Sequence, residues 1–149
     1  MDPIGTVRRE DHRDGSGHTI WVRQDPGYPD SEMVDTEWTI VWSTDPGSAG
    51  GRHGDDITEI SKVIGAVPGT PAQTASDVQL GDRVETLPGA LYWTDEPVRG
   101  NVVAIIGRPN ARCTIAFDEA QKDECPEFPT TFTSWSVSRL LFRVLEEDF

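Results

Sequence analysis

Cysteine and histidine are scarce in this 149-residue sequence, which has 2 of the former and 3 of the latter. Two cysteines are too few for a disulfide scaffold and fit a reducing cytosol. Cys113 lies in an apolar strand pattern and is expected to be a core residue, whereas Cys125 is expected to be an exposed thiol. A disulfide between them is the alternative for a protein outside the cytosol. These residues also lack the spacing of zinc ligands, so we predict no metal site.

Positively charged residues are also few. The 13 lysine and arginine residues face 26 aspartate and glutamate residues, which gives a formal net charge of −13. Nucleic-acid binding depends on basic groups that displace counterions from phosphates. We therefore expect no direct contact with nucleic acid.

Long apolar segments are absent as well. No run of about 18 apolar residues occurs, and the first ten residues lack a basic segment followed by an apolar one. The sequence therefore predicts a cytoplasmic protein with no export signal, no membrane span and no membrane partner. Five tryptophans, five phenylalanines and two tyrosines supply the large side chains that a folded core needs.

No local motif indicates catalysis. The glycine-rich stretch at 47–54 matches neither a P-loop nor a dinucleotide fingerprint. His53 beside Asp55 and Asp56 is the best candidate for general-base or divalent-cation chemistry. Carboxylates at a helix N-terminus accept backbone hydrogen bonds, however, and capping is the favoured interpretation of the two aspartates. We predict that the protein is not an enzyme and has no cofactor.

Short apolar runs rich in valine, isoleucine, threonine and tryptophan, separated by glycine, proline and aspartate, predict a mainly β fold. The strands predicted in the N-terminal half are residues 4–9, 19–24 and 38–42. Alternation places Trp38, Ile40 and Trp42 on one face, where burial in the core is favoured over a stacking platform for sugars or bases. A capping box at Asp56 predicts one short helix, and a strand over residues 62–67 is the alternative.

Residues 68–77 hold two prolines and no large apolar side chain, which is typical of a linker. They separate a small antiparallel β subdomain (residues 1–67) from a second β unit (residues 78–149). The strands predicted in the second unit are residues 82–87, 98–106 and 112–118. A long polar loop is expected over residues 119–134. The pattern at 137–145 fits either a helix face or a strand face, and we favour the strand.

Four short motifs follow one another in the second half of the sequence. They are Gly81-Asp82-Arg83-Val84, Gly100-Asn101-Val102-Val103, Ile115-Ala116-Phe117-Asp118 and Val137-Ser138-Arg139-Leu140. This order resembles an SH3-like small β-barrel of the KOW type over roughly residues 78–145. The resemblance implies a barrel over residues 78–149, with the last motif as its closing turn and final strand.

A weaker resemblance covers the first half. The segments that carry it are Ile4-Gly5-Thr6-Val7-Arg8, Trp38-Thr39-Ile40-Val41 and Ile64-Gly65-Ala66-Val67. In style they are similar to small accessory proteins of phages that infect actinobacteria. This resemblance implies a phage setting, inside an infected bacterial host, without implying an activity.

Two aromatic residues stand in a proline-bounded loop, where large rings are hard to bury. Tyr92 and Trp93 are interpreted either as anchors for a protein partner or as a plug for the barrel. Acidic residues flank them and recur in the expected long loop. The predicted partner-binding residues are Tyr92, Trp93, Asp95, Glu96, Glu119, Asp123, Glu124 and Glu127.

These observations predict a non-catalytic, acidic protein-binding module. The favoured role is a phage accessory protein that binds and modulates or inhibits a host protein with a basic surface, in one variant by mimicking DNA. A structural component of a capsid or tail joint is the first alternative. A small hydrolase-type enzyme that uses His53 is the second.

Overall fold

In a computed structural model, the described part of the chain folds into two antiparallel β-sheets with one short α-helix. The structure describes residues 2–13, 15–25, 37–44, 51–52, 56–107, 112–123 and 127–146. The mainly β class that the sequence predicts is confirmed. None of the helices in these ranges is long and apolar enough to cross a membrane.

Within the described ranges, the N-terminal sheet has five strands in the order β4-β3-β2-β1-β5. Its elements are β1 (Val7–Asp11), β2 (His18–Arg23), β3 (Trp38–Ser43), β4 (Gly51–Arg52), α1 (Asp56–Ile60) and β5 (Lys62–Gly65). The helix and the strand expected as alternatives around residue 62 are both present, one after the other. Helix α1 ends before its pattern reaches Ile64, which lies in β5.

A β-bulge in β3 changes the direction of its side chains. Ile20 pairs with Trp42 and Trp21 pairs with Ile40, so Val41 is an extra residue without a partner in β2. Paired residues of an antiparallel sheet share a face, and successive residues lie on opposite faces. Trp42 therefore lies on the opposite face from Ile40.

The prediction that Trp38, Ile40 and Trp42 share one face is therefore wrong, because strict alternation ignores the bulge. Trp38 is fully buried and packs with Trp21, Ile57 and Ile40. Trp42 is half-buried and packs on the other side of the sheet. The expectation that tryptophans form the core is confirmed for Trp21 and Trp38.

Among the residues that the structure describes, the C-terminal sheet has six strands in the order β10-β9-β8-β7-β11-β6. Its elements are β6 (Thr70–Pro71), β7 (Arg83–Thr86), β8 (Arg99–Ile106), β9 (Arg112–Asp123), β10 (Thr130–Ser138), a 3₁₀ helix (Arg139–Leu141) and β11 (Phe142–Val144). The described strands β6 and β10 lie at opposite ends of this order. The described strands therefore form an open sheet and not the closed barrel that the resemblance implies.

A long hairpin replaces the loop expected over residues 119–134. Strand β9 continues through Asp123, which pairs with Thr130 at the start of β10. The pairing is irregular: Phe132 faces Gln121, whereas Ser134 faces Ala116, so β9 holds extra residues between these pairs. The loop prediction is wrong because backbone hydrogen bonds hold this hairpin together. Its polar sequence lacks the alternation of apolar and polar residues by which a strand is predicted.

Residues 68–77, expected to be a linker, are partly built into the second sheet. Strand β6 pairs with β11, and Ala72 and Gln73 are buried. The guanidinium of Arg139 donates to the carbonyl oxygens of Ala72, at 3.0 Å from Nε, and Ala75, at 2.9 Å. A small side chain such as alanine can be fully buried, so the lack of large apolar residues did not reveal this packing.

The two sheets are in direct contact. Leu87, which follows β7 in the second sheet, is 2% exposed and packs in one cluster with Val7, Ile20 and Val22 of the first sheet. The second sheet also has its own cluster, which includes Val102, Ile115 and Phe142. The sheets therefore share part of their apolar packing, and the loop after β7 lies at their junction.

Cys113 should resist thiol reagents in the folded protein. It is fully buried in β9, and burial raises the pKa of its thiol above the usual 9.0. Since the thiolate is the reactive form, we expect iodoacetamide at pH 8 to modify Cys113 only after denaturant is added. Mass spectrometry of the separated peptides distinguishes Cys113 from Cys125. Rapid modification of Cys113 without denaturant would contradict its burial.

Candidate functional site

Five aromatic side chains meet where the loop between β7 and β8 (residues 87–98) lies against the β9–β10 hairpin. Trp93 is at their centre: its ring stacks on Phe132, with 4.7 Å between ring centroids, and meets Trp135 edge-on at 5.2 Å. Tyr92 and Phe117 complete the group at 5.0 and 6.3 Å from Trp93. These five residues are called the aromatic cluster below. Offset and edge-to-face contacts of this kind are favourable ring geometries.

The rings of the aromatic cluster differ in exposure. Trp93 is half-buried and packs against the core of the second sheet. Tyr92 and Trp135 are 45% and 36% exposed. For Tyr92 and Trp93 the sequence allows two interpretations, a plug of the core or an anchor for a partner. These two interpretations apply to different residues. Trp93 covers one end of the core, whereas Tyr92 and Trp135 present apolar surface to solvent.

The loop has two features that fix Tyr92 and Trp93 in place. Leu91 forms an isolated β-bridge with Thr94, which makes Tyr92 and Trp93 the corner of a tight turn. Gly89 has a φ of +77°, and a Cβ at this position would lie 2.8 Å from Cγ2 of Ile20. Glycine is required for both the backbone angle and the close approach to the first sheet.

Carboxylates border the aromatic cluster. The hydroxyl of Tyr92 donates a 2.9 Å hydrogen bond to Asp123, and the indole N–H of Trp93 donates to Gln121 at 3.4 Å. Beside Gln121, Glu96 and Glu119 line a polar cleft of about 290 Å³. Among the described residues, neither glutamate side chain has an ion-pair partner.

A third carboxylate in the same cleft, that of Asp118, already forms an ion pair. Arg83 donates to Asp118 at 2.6 Å, and this hydrogen bond holds the pKa of the Asp118 carboxyl below its usual 3.8. Arg99, which also lines the cleft, lies 3.7 Å from Glu85. Glu96 and Glu119 are therefore the two carboxylates of the cleft that lack an ion-pair partner among the described residues.

The structure brings five of the predicted partner-binding residues to this region: Tyr92, Trp93, Glu96, Glu119 and Asp123. Asp95 lines a separate groove, Glu127 is exposed ahead of β10, and Glu124 lies outside the described residues. Sequence reasoning missed Phe132 and Trp135, because it placed Phe132 in a loop and gave Trp135 no role. The threonine-rich run around Phe132 is the signal that favours a strand there.

The separate groove lies between the two sheets and is called the inter-sheet groove. It has a volume of about 300 Å³. Its lining residues are His18, Ile20 and Trp42 from the first sheet and Gly89, Leu91, Tyr92, Trp93, Thr94 and Asp95 from the loop. The His18 ring lies 5.0 Å from Trp42, and desolvation lowers the pKa of His18 below its usual 6.5.

Comparison with protein-family models, with curated proteins and with solved structures finds no match. The site is therefore interpreted from its own geometry. His53 and Asp55, the candidates for chemistry, lie outside the described residues, and Asp56 is the first residue of α1. Within the described ranges, no group of three or more histidine, cysteine, aspartate or glutamate side chains is arranged to hold a metal ion.

Proposed function

We propose that the protein is a non-catalytic binding module that docks on a basic surface of another protein. The observation that carries this proposal is that the aromatic cluster, with exposed Tyr92 and Trp135, reaches through Trp93 and Gln121 to the cleft lined by Glu96 and Glu119. Among the described residues, these two carboxylates have no ion-pair partner. Tyrosine and tryptophan are frequent anchors of protein interfaces, and charged groups at the rim set the approach of the partner. A formal charge of −13 steers the module toward positive surfaces.

The proposed setting is a phage accessory protein that modulates or inhibits a host protein in the bacterial cytoplasm. This setting rests on the resemblance of the first half of the sequence to phage accessory proteins. In one variant of the proposal, the carboxylates of the protein mimic DNA. The SH3-like resemblance has support from the strand order. Strands β7 to β10 are consecutive neighbours, and β11 returns beside β7 after a 3₁₀ helix.

The first experiment is affinity capture with the tagged protein from an actinobacterial extract, at about 50 mM and at about 500 mM salt, followed by mass spectrometry. A partner that binds through charge should be lost at high salt, where the screening length falls well below 10 Å. Partner recovery that is the same at both salt concentrations would contradict the proposed role of the carboxylates.

The second step measures the affinity of the recovered partner for charge variants. We expect the double variant Glu96→Gln, Glu119→Gln to bind about tenfold more weakly, a loss of about 1.4 kcal/mol. The double variant Glu59→Gln, Glu146→Gln removes the same charge from exposed positions outside the cleft and is the matched control. Equal losses for both double variants would show that net charge alone matters and would overturn the proposed site.

A structural role in a virion is the second candidate, and strand β10 favours it. This strand has nine residues without a charged side chain and forms one end of the second sheet among the described strands. An uncharged edge strand offers unpaired backbone groups to another chain. Native mass spectrometry of the purified protein tests this role, which requires self-assembly or assembly with particle proteins.

A further inference from the structure

We propose that the inter-sheet groove receives one arginine side chain of the protein partner. This inference rests on the proposed function, because it specifies the chemistry of the basic surface that the module binds. Apart from Thr94, the residues that line this groove do not line the glutamate-lined cleft. The groove and the cleft can therefore be tested separately.

The walls of the inter-sheet groove suit a flat, cationic group. Trp42, Tyr92 and Trp93 offer aromatic surface, and the imidazole of His18 lies against Trp42. A guanidinium is planar and weakly hydrated, and it stacks on aromatic faces more readily than an ammonium does. The volume of about 300 Å³ is at the lower end of the range for small-molecule pockets, which favours a single side chain.

Asp95 supplies the charge that a guanidinium needs. Its carboxylate lines the groove, and the Asp95 side chain is 64% exposed. Nη1 of Arg9 lies 3.5 Å from this carboxylate, while Nε of Arg9 is closer to Asp11, at 3.0 Å. The contact of Arg9 with Asp95 is long and solvent-exposed, so it is weak. Asp95 therefore already faces one guanidinium and can accept a second in place of it.

His18 makes arginine binding depend on pH. Desolvation, and then the positive charge of Arg9, lower the pKa of His18, while Asp95 and Asp11 raise it and His12 lowers it. The ring is therefore neutral at pH 7.5 and accommodates a cation. Protonation of His18 in acid places a positive charge in the groove, so affinity should fall as the pH is lowered from 7.5 to 5. A His18→Gln variant should lose most of this pH dependence.

The test uses the full chain labelled with ¹⁵N and a capped arginine, N-acetyl-arginine amide, as the probe. We expect the indole N–H signals of Trp42 and Trp93, assigned through tryptophan-to-phenylalanine variants, to shift in a saturable manner. The Kd should be on the order of 10 mM, as befits a single side chain. Capped citrulline, which has the same shape without the charge, should bind at least about fivefold more weakly.

Two variants probe the electrostatics of the groove. Asp95→Asn should weaken capped arginine by about fivefold, and Arg9→Gln should tighten it by about twofold, because the competing guanidinium is removed. Glu146→Gln, at an exposed position that lines neither the groove nor the cleft, should leave the affinity unchanged. Indole signals that do not move, equal binding of citrulline, or an unchanged affinity of Asp95→Asn would each overturn the inference.

The outcomes also separate this inference from the proposed function. If a basic partner binds through Glu96 and Glu119 while capped arginine leaves the groove signals unmoved, the groove inference is wrong and the proposed function holds. If capped arginine binds in the groove and the glutamate variants leave the partner affinity unchanged, the docking surface proposed around the cleft is wrong.

Discussion

Replacing Trp93 with alanine is expected to lower the free energy of unfolding by about 3 kcal/mol and to weaken partner binding at least tenfold. Removal of a large ring from packed surroundings typically costs about 3–5 kcal/mol, and the half-buried position of Trp93 places it at the low end. The ring contacts Phe132, Trp135 and Phe117, so its loss removes the support of the whole aromatic cluster. Urea unfolding followed by circular dichroism measures the first effect.

Tyr92→Phe is the matched control for Trp93→Ala. It keeps the ring and removes only the hydroxyl that donates to Asp123. A surface-exposed hydrogen bond of this kind contributes about 1 kcal/mol or less, so stability should change little. If Trp93→Ala were as stable as Tyr92→Phe, Trp93 would not be part of the packed core, and the description of the aromatic cluster would be wrong.

Strands β2 and β3 could be predicted because β-branched and aromatic residues fill the four consecutive positions 19–22 and the five consecutive positions 38–42. The bulge at Val41 could not, because one extra residue in a strand leaves no mark in the sequence. Helix α1 and strand β5 were predicted as alternatives because each is too short for its period to be distinguished. Local patterns thus indicate elements but not the irregularities that set which face a side chain occupies.

The candidate site could be predicted only in part. Tyr92 and Trp93 stand out locally, because a proline-bounded loop rarely buries two large rings. Their partners are distant in sequence: Asp123 is 31 residues from Tyr92, and Gln121 is 28 residues from Trp93. Such contacts depend on how the β9–β10 hairpin extends beyond the core, and polar hairpins lack the apolar alternation that would reveal them.

The inter-sheet groove was invisible in the sequence for a different reason. It forms only because the loop after β7 packs on the first sheet, with Leu87 in the shared apolar cluster and Gly89 against Ile20. Neither half of the chain contains the groove alone. His18 and Trp42 are typical strand residues until the loop places Asp95 opposite them.

Gly100→Ala is expected to destabilise the protein by about 3 kcal/mol, the upper end of the usual cost of overpacking. Gly100 lies in β8 opposite Phe117, and a Cβ there would clash with the carbonyl oxygen of Ala116 and lie 2.6 Å from Cγ2 of Ile115. Ala116 pairs with β8 on one side and with β10 on the other, so its backbone cannot move without parting the strands.

This clash explains why glycine stands in a strand at a position that the sequence singles out only through its motif. Glycine within a strand often marks a close approach of another backbone. Asn101→Ala, at the exposed neighbouring position, is the control. It removes one exposed hydrogen bond, which Arg83 donates to Asn101 at 3.0 Å, and should lower stability by no more than about 1 kcal/mol. Thermal and urea unfolding of the two variants compare them directly. A Gly100→Ala protein as stable as the control would mean that β8 and β9 are farther apart than described. The packing of Phe117 and the aromatic cluster, which these strands support, would then also be wrong.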